Sequence, residues 1–99
     1  MESPLKEIPR ELPALTRATK VLKKIDKYYE KGSSFEQDVE ALQEAVERLK
    51  NYELSAYDKE LGDIMADMLI RLSDIARIGK ISQEQVLSDR IDDLIEKYE

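Results

Sequence analysis

The chain has 99 residues, 41% of them apolar and 38% charged, with a formal net charge of −6. It contains neither Cys nor His, which excludes disulfides, thiolate zinc sites, cysteine nucleophiles and every triad built on imidazole. Any metal it held would be a hard cation on carboxylates, such as Mg²⁺.

The charge is unevenly spread. Residues 1–31 hold eight Lys/Arg against five acids, and residues 32–99 hold eight against seventeen. A basic first segment on an acidic remainder invites pairing within the fold or with a partner. No apolar run approaches the roughly 20 residues that span a bilayer. The charged, proline-rich start MESPLKEIPRELP lacks the apolar centre of a signal peptide. The expected setting is the cytoplasm, away from membrane.

In chain order, Pro4, Pro9 and Pro13 mark residues 1–12 as a non-helical lead, and residues 13–99 read as one helical domain. Pro13 suits the first turn of a helix. Leu15, Ala18, Leu22, Ile25 and Tyr29 then recur at three and four, predicting a helix over 13–31 that Gly32 terminates. Ser33-Ser34-Phe35-Glu36 is a capping-box signature for a second helix, over 34–51. Its apolar row is Phe35, Val39, Leu42, Val46 and Leu49.

Ser55 is placed to cap a third helix, over 55–79, which carries Leu61, Met65, Met68, Leu69, Leu72, Ile75 and Ala76 and ends at Gly79. Ser82, with Gln85 three residues on, opens a fourth over 82–98, with Leu87, Ile91, Leu94, Ile95 and Tyr98 as its stripe. No segment alternates like a half-buried strand. Four amphipathic helices with short connections predict an all-α fold, a single-domain antiparallel four-helix bundle in which the four stripes bury one another.

Two acidic pairs stand out. Glu44 and Glu47 are three apart, as are Glu60 and Asp63, with twelve residues between the pairs. Residues three apart share a helix face, so on antiparallel neighbours the pairs can form two pincers around one Mg²⁺. The segment from QEAVE to ELGD resembles the EExxE…ExxD motif of MazG-like, all-α nucleoside triphosphate pyrophosphohydrolases. ADMLIRLSDIARIGKIS, residues 66–82, is similar to the helix and loop that follow in that family. The resemblance spans residues 35–82. It implies a Mg²⁺-dependent oligomer that releases pyrophosphate and a nucleoside monophosphate, with Glu44, Glu47, Glu60 and Asp63 as ligands. The other reading is the solvated side of two amphipathic helices, because these acids lie opposite the apolar rows.

Arg17, Lys20, Lys24, Lys27 and Lys31 form a basic row along the first helix. Such a row suits a solvated face, an acidic protein partner or phosphates. No Gly-rich phosphate loop is present and aromatic residues are few, which disfavours direct contact with nucleic acid. PLKEIPRELPALTRATKVLKKI (residues 4–25), Arg71-Leu72 with Ile75, and SQEQVLSDRIDDLIEKY (residues 82–98) look like the helical domain of archaeal GINS replication subunits. That resemblance implies a scaffold in a replication assembly. The sequence reads first as a non-catalytic helical interaction subunit, assembling with itself or another protein and needing no cofactor. The pyrophosphohydrolase is the alternative.

Overall fold

The structure, a computed structural model, describes residues 3–54 and 58–99. Its elements are a short 3-10 turn at Pro4–Glu7 and four helices: α1 (Ala14–Tyr29), α2 (Phe35–Lys50), α3 (Lys59–Gly79) and α4 (Gln83–Tyr98). The fold is all-α, and no strand occurs among the described residues. No helix of the described residues is long and apolar enough to cross a membrane.

Local chemistry accounts for most of the boundaries. Ser34 caps α2 in a full capping box. Its hydroxyl accepts from Gln37 N at 3.1 Å, and Gln37 Oε1 accepts from Ser34 N at 2.8 Å. The box therefore sits one residue later than the Ser33–Glu36 pairing, which leaves Ser33 for another role. Ser82 caps α4, accepting from Gln85 N at 3.2 Å. Asp58 caps α3, with Oδ1 accepting from Glu60 N at 2.8 Å. The expected cap, Ser55, lies outside the described residues.

The lead is not wholly without helix. Ser3 caps the turn at Pro4–Glu7, which folds back on α1: Lys24 Nζ donates to Pro4 O at 3.0 Å and pairs with Glu7 at 3.2 Å, and Ile8 is buried.

α3 ends at Gly79 as expected, whereas α1 ends at Tyr29, before Gly32. The left-handed residues are Glu30 (φ 53°) after α1 and Lys80 (φ 57°) after α3. After α3, Ile81 N donates to Ala76 O and Lys80 N to Arg77 O, the bond pattern of a Schellman cap with lysine where glycine is usual. Gly32 serves close approach: a Cβ there would collide with the Asp26 side chain.

α2 and α3 run in opposite directions, since Asp38 meets Arg71 and Arg48 meets Asp67. The row that α2 turns to α3 is Asp38, Ala41, Ala45 and Arg48, not its large apolar row. Ile64 is the fully buried large apolar side chain of α3, and Ala45 of α2 is buried as well. At about 100° per residue, this places Phe35, Val39, Leu42, Val46 and Leu49 of α2 on the same side as Leu61, Met65, Met68, Leu69 and Leu72 of α3. The opposite side of the pair is covered by α1, which packs on α3. The expectation that four stripes bury one another is therefore not met within one chain. Phe35, Val46, Met65, Leu69 and Leu72 are exposed, and so is the whole stripe of α4.

Because Lys80 holds a backbone region that costs an L-residue about 1–2 kcal/mol, Lys80→Gly should stabilise the fold. Part of that gain is offset by glycine's freedom in the unfolded chain, so the expected net gain in urea melts is about 0.5–1 kcal/mol.

Candidate functional site: a buried carboxylate pair and an open apolar face

The centre of the α1–α2–α3 contact is charged. Asp38 (0% exposed) and Asp74 (4%) are buried side by side, each with an arginine. Arg71 Nη1 donates to Asp38 Oδ1 at 3.1 Å and to Ser33 Oγ at 3.1 Å. Arg77 Nε donates to Asp74 Oδ1 at 2.6 Å, Nη1 to Asp26 Oδ2 of α1 at 3.3 Å, and Nη2 to Ser33 O at 3.1 Å. One arginine thus ties α3 to α1 and to the α1–α2 loop. The residue freed from the capping box, Ser33, serves both arginines.

Each carboxyl keeps one oxygen, Oδ2 in both cases, that no other donor reaches. A single proton held between the two carboxyls satisfies both. Burial, together with the hydrogen bond and like charge of Asp74, pushes the Asp38 carboxyl up from 3.8 to about 6, against the pull of Arg71. Burial acts on Asp74 in the same sense. The hydrogen bonds from Arg77 and Asp38 outweigh it, and Asp74 is held below the ordinary carboxylate range. Arg77 is raised in turn, chiefly by its bond to Asp74. Of the two, Asp38 is the one that takes up a proton as pH falls through about 6, and Asp74 stays ionised.

This cluster was barely legible in the sequence. Its one signal was an aspartate, Asp38, close beside the apolar row of α2, where an amphipathic helix normally carries a neutral residue.

The four acids of the proposed metal site are not gathered. Glu47 pairs with Lys50 on its own helix at 3.5 Å, and Asp63 with Lys59 at 3.0 Å. Glu44 lines a cleft of about 350 Å³ with Arg48, Asp67 and Arg71, where the guanidinium groups already supply positive charge. Glu60 lies in the first turn of α3, with its backbone N–H capped by Asp58. Among the described residues, no group of three or more acids is arranged to hold a metal ion.

The basic row of α1 is also divided. Lys24 turns inward to the N-terminal turn. Arg17 borders an apolar groove with Ala14, Ala18, Val21, Leu22, Ile25 and Ile70. Lys20 and Lys23 line the cleft against the start of α4, Lys27 lies over the Tyr28 ring, and Lys31 borders the cleft that holds Ser33 and Arg71. The charges expected as one face therefore serve several sites.

What remains uncovered is apolar. The α2–α3 face and the stripe of α4 are rows of Leu, Ile, Val, Met and Phe at half or near-half exposure. Exposed apolar surface of this extent is the candidate functional surface of the chain. Tyr52 is half-buried beside the end of α2, and Tyr57, the other aromatic read as a cover or anchor, lies outside the described residues. Compared with known proteins, the chain matches no family model, no curated protein and no solved structure.

The carboxylate pair predicts a pH dependence. A raised acid pKa means that native Asp38 keeps a proton the unfolded chain has released. Its contribution is full below about pH 3.8 and is lost as pH rises through about 6. Asp38→Asn, which imitates the protonated form, should equal or exceed the native protein in melting temperature at pH 8. That advantage should vanish near pH 5. A penalty of the same size at every pH would mean that the pair shares no proton.

Proposed function

We propose that this chain is a non-catalytic helical interaction subunit that works by docking its open apolar surface against protein. The observation that carries this reading is the unburied α4. It is a regular amphipathic helix whose whole apolar stripe faces solvent, Leu94 being 50% and Tyr98 79% exposed. A helix of that pattern has a face to bury, and inside this chain nothing receives it. The resemblance of residues 4–25 and 82–98 to the helical domain of archaeal GINS replication subunits points the same way, toward a scaffold in a replication assembly.

Two measurements test the reading. At a dilution where light scattering shows a monomer, Ile91→Asp should leave thermal stability nearly unchanged, within about 0.5 kcal/mol, as exposed substitutions do. A loss of about 2 kcal/mol or more, the mark of a core position, would place the α4 stripe inside the folded chain and end the docking reading. The second measurement addresses the pyrophosphohydrolase. Millimolar Mg²⁺ should leave the melting temperature unchanged, and no pyrophosphate should be released from nucleoside triphosphates. If Mg²⁺ raises the melting temperature by mass action, Glu47→Gln with Glu60→Gln abolishes the rise and pyrophosphate appears, the enzyme is the correct reading.

A further inference from the structure

We infer that the partner is a second copy of this chain, and that two copies exchange α4, each laying its α4 stripe along the open α2–α3 face of the other. This inference rests on the docking reading above and adds the identity of the occupant.

Surface area is the first argument. A compact monomer of 11.5 kDa exposes about 5,800 Å² by the scaling for folded monomers, whereas this chain exposes 8061 Å². The excess, about 2,300 Å² per chain, is enough for a large homodimer interface. The radius of gyration agrees: it is 15.7 Å, against about 13 Å for a compact domain of this length.

The second argument is fit. The uncovered stripe of α4 and the uncovered α2–α3 face are of matching length. α4 and α2 both have 16 residues, about 24 Å of helix each. α1 already covers one side of the α2–α3 pair, so an α4 on the other side completes a layered bundle.

The third argument is that α4 cannot make this contact in its own chain. It starts on the α1 side: Ser73 Oγ donates to Gln83 Oε1 at 2.6 Å, and Ile81–Glu84 face Leu15, Thr19 and Lys23. Only Lys80–Ser82 separate α3 from α4. Three residues reach about 10 Å, no more than the width of a helix. Carrying α4 round α3 to the open face would break the Schellman cap and the Ser73–Gln83 bond. A second copy meets the face without either loss.

The test is light-scattering mass on two full-length variants, each checked for native helicity by circular dichroism. One carries Ile91→Glu with Leu94→Glu on α4. The other carries Val46→Glu with Met65→Glu on the open face. All four side chains are exposed within the chain, so both variants should fold. The native protein is expected at twice 11.5 kDa, and each variant alone as a monomer, its self-association weakened at least about 100-fold. Mixed in equal amounts, the two variants should form a heterodimer, because one intact α4 still meets one intact face. If the variants are monomeric and their mixture stays so, the faces pair with each other and the exchange is wrong. A native monomer in which Ile91→Asp is neutral overturns self-association but leaves the docking reading standing with a different protein. A native monomer in which Ile91→Asp costs stability overturns both.

Discussion

The arrangement of this protein depends on two aspartates that must be buried next to each other. Asp38 on α2 and Asp74 on α3 are both buried between the helices, and each is paired with an arginine there. Buried ion pairs add little net stability, because desolvation offsets their attraction. Removing one partner is costly, however, and so is any packing that strands it. The cluster therefore acts through register. It requires α2 to present Asp38, and with it Ala41 and Ala45, to α3, and it requires Arg77 to reach both Asp26 of α1 and the Ser33 carbonyl.

That requirement has a consequence for the large apolar side chains. A helix face can hold the charged cluster or the wide apolar row at its closest contact, but not both. With the small and charged row inside, Phe35, Val46, Met65, Leu69 and Leu72 are displaced to the side away from α1. Ile64 is left as the fully buried large apolar residue among those described. A 99-residue domain has little stability to spare even with a complete core. The surface left open here is thus an energetic deficit within the single chain.

The charged residues singled out by pattern serve local pairing in the folded chain. Glu47 and Asp63 face lysines of their own helices, and Lys24 holds the N-terminal turn. Spacing along one helix places such groups on a common side. Whether two pairs meet across helices depends on the rotation of each helix about its axis, and here the Asp38–Asp74 cluster sets that rotation.

Much of the secondary structure was written in the sequence. The apolar repeats at three and four, the Ser34 and Ser82 caps and the absence of alternating runs determine four helices and an all-α fold, because these are local preferences of the backbone and its nearest side chains. The helix ends were less legible: Glu30 and Lys80 take the left-handed positions although Gly32 and Gly79 stand close by. Only the tertiary structure decided which rows face inward. An aspartate beside an apolar stripe reads as a surface residue until Arg71 and Asp74, more than thirty positions away, are seen to meet it. The rotation that brings them together rests on close contacts between residues distant in sequence, and that rotation decides which apolar rows the chain leaves uncovered.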